Sequence, residues 1–70
     1  MEEPLISKET TNVNGYEVNK VTYSRSDGKG NDEVIQIKKG GTEVGHKTTH
    51  PDGKINIHGN YEKAMDEISR

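Results

Sequence analysis

A chain of 70 residues holds one domain, near the lower limit at which a single core sustains a fold without disulfides or metal, and this one draws on 26% hydrophobic residues with no Phe or Trp. A mean hydropathy of −1.09 with 31% charged residues leans toward disorder, but the net charge of only −2 lacks the self-repulsion that normally accompanies it. The absence of cysteine excludes a small secreted disulfide scaffold and suits a reducing cytoplasm, while the acidic start MEEPLISKET and the lack of a long apolar run argue against a signal peptide and a membrane span.

Residues 1–12 read as a weakly ordered arm or an edge strand, and residues 13–70 as a single small domain. Asn14-Gly15 lies between Val13 and Tyr16, and this dipeptide between strand-like residues is the strongest short hairpin signal, because both central positions of a type I′ turn need positive φ. A two-residue turn sets Val13 opposite Tyr16, Thr11 opposite Val18 and Glu9 opposite Lys20. Tyr16–Arg25 alternates and is rich in β-branched and aromatic residues, with Tyr16 and Val18 on one face and Val21 and Tyr23 on the other. That change of face predicts a bulge or a strand gripped on both sides.

Ser26–Asp32 holds no apolar residue and reads as a polar loop, the most mobile internal segment expected. Glu33–Lys39 places Ile35 and Ile37 on one face and ends at Gly40-Gly41, a second two-residue turn. Thr42–His50 returns as the next strand, with Ile37 facing Val44 and Ile35 facing His46. His50-Pro51-Asp52-Gly53 turns the chain into a last strand, Lys54–His58, whose Ile55 and Ile57 are expected to point into the core. Two registers are open there. A three-residue turn sets His50 against Lys54 and His46 opposite His58; a two-residue Asp52-Gly53 turn sends His58 to the other face. The apolar pattern favours the second.

Asn60 is a good N-cap, and Tyr61, Ala64, Met65 and Ile68 follow at the spacing that places them on one helix face. A helix this short does not persist alone in water, so it must lie on the sheet. The fold class is therefore α+β: an antiparallel β-meander of four to five strands with one C-terminal α-helix packed on one face. A core of this size supplies about 3–5 kcal/mol at most, and association with a partner or a second copy is a common remedy.

Chemistry is sparse. His46, His50 and His58 cluster on one hairpin, and the three-residue register brings two imidazoles within reach of one metal ion. Protein zinc sites usually take three or four ligands, so no metal and no cofactor is expected, with the histidines only a weak alternative. Asp27, Asn31, Asp32 and Glu33 fail the spacing of a calcium loop, and Gly28-Lys29-Gly30 fails that of a phosphate loop. Ser7, Ser24, Ser26 and Ser69 lack a nucleophile-elbow context, and Asp66 and Glu67 do not face one another, so no enzyme is expected.

What remains is recognition by surface. The expected role is a small non-enzymatic binding or regulatory protein with a protein partner, and compact, acidic, cysteine-free chains are often carried by bacteria and phages, where short inhibitors act by binding a host protein. The open sheet face, carrying a mixture of Val34, Gln36, Lys38, Lys47 and Asn56, and the edge strand are the candidate surfaces, each also able to take a second copy as a homodimer. Tyr16 and Tyr23 are candidate anchors where exposed, core packing being the stronger expectation for Tyr23. The alternative partner is nucleic acid, held by Lys38, Lys39, Lys47 and Lys54, but these four lysines stand against Glu33, Glu43 and Asp52, a formal charge of only +1 over residues 33–60.

Overall fold

Turn chemistry sets the strand boundaries in the computed structural model, which describes residues 5–70. In chain order the elements are β1 (Leu5–Val13), β2 (Tyr16–Ser24), β3 (Asn31–Lys39), β4 (Thr42–Thr49), β5 (Ile55–Gly59) and α1 (Tyr61–Ile68). Every strand pairs antiparallel with the next, giving one five-stranded sheet in the order β1-β2-β3-β4-β5. The helix packs on one face, so the architecture is the α+β meander expected.

Asn14 (φ 51°) and Gly15 (φ 82°) occupy the left-handed region that a type I′ turn requires. The register follows as expected, with Val13 opposite Tyr16, Thr11 opposite Val18 and Glu9 opposite Lys20. Residues 5–13 form an edge strand, interrupted by an irregularity between Leu5 and Ser7 that leaves Ile6 unpaired. Between β1 and β3, β2 runs without a register shift against β3, so no bulge separates its two faces: Tyr16 and Val18 lie on the helix side, and Val21 and Tyr23 on the opposite face.

A bulge does occur in β4. Ile37 pairs with Gly45 and Lys38 with Glu43, so Val44 is the extra residue, and the expected pairs Ile37–Val44 and Ile35–His46 are replaced by Ile37–Gly45 and Ile35–Lys47. The cause is the helix: a Cβ on Gly45 would lie 2.4 Å from the Tyr61 backbone nitrogen, while the Val44 carbonyl accepts the Asn60 N–H at 2.8 Å. The bulge turns Val44 out of the ladder and lets the helix start settle on a bare glycine backbone.

The last hairpin takes the three-residue register, which corrects the preference for the other. His50 N–H donates to Lys54 O at 2.9 Å and Gly53 N–H to His50 O at 3.0 Å, and His46 pairs with His58. Pro51 and Asp52 supply a type I turn, Gly53 the following left-handed residue, and Asp52 Oδ1 accepts the Lys54 N–H at 2.9 Å. These local bonds outweigh the apolar pattern.

The helix crosses one end of the sheet. Its start is tied to β4 through Asn60, and its end reaches the β1–β2 turn, where Asn14 Nδ2 donates to Ile68 O at 3.1 Å and the Tyr16 hydroxyl donates to the Glu67 carboxylate. Asn60 precedes the helix, but its side chain makes no capping bond; its carbonyl accepts the Ala64 N–H at 2.9 Å. Beneath lie buried Tyr16, Ile37, Tyr61 and Ala64, with Ile35, Val44, Met65 and Ile68 packed around them. Ile37 is fully buried, a contribution of about 2–3 kcal/mol from area alone. Ile55 and Ile57 share this face by register yet remain 52% and 45% exposed, because the helix stops short of them. This corrects their placement in the core.

Candidate protein-interaction surface

Strand alternation from the observed register divides the sheet into two faces. One carries Tyr16, Ile37, Ile35 and Lys47 beneath and beside the helix; the other carries Glu17, Asn19, Val21 and Tyr23 of β2, Gln36, Lys38 and Val34 of β3, His46 and Thr48 of β4, and Asn56 and His58 of β5. The second face has no covering element among the described residues.

Near β1 this open face forms a hollow of about 330 Å³ lined by residues that include Leu5, Lys8, Val21, Tyr23 and Lys38. Its floor is fixed by Asn19, a buried polar residue whose Oδ1 accepts the Thr10 hydroxyl at 2.6 Å and whose Nδ2 donates to Glu17 at 2.8 Å. A buried amide with its bonds satisfied is a rigid feature, since breaking either bond would leave a desolvated polar group. Leu5 is 57% exposed at the rim, and β1 itself is exposed along nearly its whole nine-residue length.

Further along the face, the rings of His46 and His58 stack at 4.5 Å between centroids with planes 21° apart. Glu43 lies 3.2 Å from His46 Nδ1 and also accepts from Gln36 at 2.9 Å. Parallel rings do not converge their nitrogens on a common point, and among the described residues no group of three His, Asp or Glu side chains is arranged to hold a metal ion. His50 stands apart from the pair. Its Nδ1 meets Asp32 Oδ1 at 2.7 Å, and its Nε2 faces Asn56 Nδ2 at 3.4 Å. Arg25 Nη1 also lies 3.3 Å from His50 Nδ1.

Arg25 completes that cluster, donating to Asp32 at 3.0 Å and to Asp27 at 2.9 Å. His50, and then Arg25, hold the Asp32 carboxyl below the usual range against the opposing effect of its burial; Arg25 and the Lys29 backbone N–H do the same for Asp27. The two aspartates proposed from sequence as loop acids are therefore partners of one guanidinium, and Arg25 N–H to Gly30 O at 3.0 Å closes the loop they sit in. The cluster ties the loop to β3 and to the β4–β5 turn.

The sequence-selected residues are not all brought together. Tyr16 is buried under the helix, where its bond to Glu67 raises the phenol pKa and lowers that of the carboxyl, so it is not an exposed anchor. Tyr23 is half-buried on the open face and joins Lys38 in the hollow. Lys39 and Lys47 lie on the helix side, their ammonium groups 4.9 Å from the Tyr16 ring centroid and 5.5 Å from that of Tyr61. Lys47 was expected on the open face; the Val44 bulge moved it. Lys54 is exposed at the far turn, so the four lysines make no single basic surface.

Lys8 and Asn19 are absent from the residues selected by sequence, and Asp32 and His50, considered there as a loop acid and a weak metal ligand, were not joined with Arg25. The Asn14-Gly15 register already sets Lys8 opposite Val21 and Thr10 opposite Asn19, so their place beside Tyr23 was obtainable. No helix among the described residues is long and apolar enough to cross a membrane. The chain matches no protein-family model, no curated protein and no solved structure.

Proposed function

We propose that this chain is a small non-enzymatic binding protein that takes an extended segment of a partner protein as an added strand on β1, with the partner's side chains read by the adjoining hollow. The observation that carries this reading is β1 itself: a nine-residue edge strand exposed almost throughout, with a neighbouring strand on one side only among the described residues. Edge strands this long are ordinarily blunted, because their free N–H and C=O groups template pairing. Here Lys8 is the one basic residue within it.

Strand addition draws its affinity from backbone bonds and its specificity from pockets for alternate side chains. The hollow supplies such a pocket: Leu5, Val21 and Tyr23 offer apolar contact, and Lys8 and Lys38 outnumber Glu17, whose carboxylate is engaged by Asn19, so the lining favours an acidic partner side chain. The separation of Lys39 and Lys47 from Lys38 speaks against an extended phosphate-binding surface.

The test is affinity capture from lysate of the source organism with and without nuclease, using the parent chain and Lys8→Pro. A protein retained by the parent in both arms and lost by Lys8→Pro is the expected result. Retention by both chains would overturn the β1 reading, and loss on nuclease treatment would replace it with nucleic-acid association. Sedimentation of the isolated chain identifies the case in which the added strand comes from a second copy.

A further inference from the structure

We infer that Asn14 is both the latch of the helix C-terminus and a site of spontaneous chemical modification, so that loss of its side-chain amide releases α1 from the sheet. The two roles meet on one atom. Asn14 Nδ2 donates to Ile68 O at 3.1 Å, one of the final carbonyls that a helix leaves without intrahelical partners, and lies 3.5 Å from Glu67 O, which also accepts the Arg70 N–H at 3.4 Å. Other provision at this end is thin. The last turn has no basic residue, no residue after it adopts the left-handed conformation of the usual cap, and the Ser69 N–H and hydroxyl both go to Met65 O, at 3.0 and 2.8 Å, and not to Ile68 O.

Asn14 is also the one asparagine of six in the chain that precedes a glycine. With no side chain on Gly15, its backbone nitrogen is the least hindered in the chain for attack on the neighbouring carboxamide, and a Cβ there would meet nothing within 4 Å, so the turn lies in open space. In the reaction the Gly15 nitrogen bonds to Asn14 Cγ, the Cγ–Nδ2 bond breaks, and ammonia leaves with the Gly15 amide proton. Water then opens the cyclic imide at either carbonyl, giving aspartate or isoaspartate. No oxidant or reductant enters.

The product has no donor to offer. A carboxylate in place of the amide faces the Glu67 and Ile68 carbonyls at the negative end of the helix dipole, where the parent residue made hydrogen bonds. Repulsion replaces attraction at the point that joins the helix to the β1–β2 turn, and the Tyr16–Glu67 bond beside it loses its support.

The experiment holds the purified chain in mildly alkaline buffer at physiological temperature and follows it by peptide mapping, with the converted fraction isolated by anion exchange. Amide loss is expected at Asn14 well ahead of Asn12, Asn19, Asn31, Asn56 and Asn60, and the converted chain is expected to melt about 4–8 °C lower. Asn14→Asp, still suited to a type I′ turn, is expected to show the same drop without incubation. Asn14→Gly keeps the turn and removes both latch and reactive amide, so it is expected to melt low from the outset and to undergo no conversion at this position. Faster conversion at another asparagine, or Asn14→Asp and Asn14→Gly melting with the parent, would overturn the inference.

Discussion

Asp32 and His50, 18 residues apart, meet through Oδ1 and Nδ1 at 2.7 Å, and Arg25 reaches the same oxygen at 3.0 Å. A carboxyl whose pKa is lower in the folded than in the unfolded chain adds stability above its unfolded value and loses it as pH falls through the folded one. Asp32 is such a group, because His50 and Arg25 favour its charged form. Asp32→Asn is therefore expected to be less stable than the parent at neutral pH, with the gap closing as pH falls below about 4. Asp27 and Glu67 titrate in both proteins and largely cancel. Urea titrations across the acid range would show the convergence, and a gap that stays constant would contradict it.

Adjacent prolines in β1 should behave in opposite ways. The pair closing a two-residue hairpin exchanges both its hydrogen bonds, so alternation from Val13–Tyr16 points the Glu9 N–H toward β2 and the Lys8 N–H toward solvent. Glu9→Pro is expected to cost about 3 kcal/mol, and Lys8→Pro less than about 1 kcal/mol. Chemical denaturation of the two variants measures the difference directly.

Gly45→Ala places a methyl group 2.4 Å from the Tyr61 backbone nitrogen and 2.9 Å from the His58 carbonyl. Both neighbours are main chain and cannot swing aside, so the helix start must lift. A loss of about 2 kcal/mol or more is expected, with chemical-shift changes centred on Asn60 and Tyr61.

Truncating the isoleucines should separate the covered end of the sheet from the uncovered one. Ile37 is fully buried, and Ile37→Ala is expected to cost about 3 kcal/mol, most of the stability available to a core this size. Ile57 is 45% exposed, and Ile57→Ala is expected to cost less than about 1 kcal/mol. Equal losses would mean that a partner or a second copy covers Ile57 in solution.

The turns were legible because their backbone demands leave a residue signature. Asn14-Gly15 specified a conformation that few other pairs adopt, and the register of β1 followed from it. The bulge at Val44 has no such signature: its cause is the seat of Tyr61 on Gly45, a contact between residues far apart in the chain, and with it went the expected partners of Ile35 and Ile37 and the face of Lys47. At Pro51-Asp52-Gly53 both registers were readable, and the choice fell to hydrogen bonds in the turn where alternation pointed the other way. The Arg25–Asp32–His50 cluster was hidden because His50 joins the others only through the β3–β4 ladder, so its residues look unrelated along the sequence. The hollow beside β1 was half visible: Tyr23 and Lys38 were selected as residues, and Lys8 and Asn19 needed only the first register to join them.

Because α1 runs across the strands at one end, each of β2, β3 and β4 has a well-packed end and a lightly covered one. Opening fluctuations should therefore be graded along the strands rather than from strand to strand. Backbone amides near Tyr16, Ile37 and Gly45 would exchange with solvent hydrogen slowly, while those near Ser24, Asn31 and Thr49, in the same three strands, would exchange fast. At that far end no helix among the described residues covers the strands, and the Arg25–Asp32–His50 cluster is what joins the loop of residues 25–30 to the turn of residues 50–54.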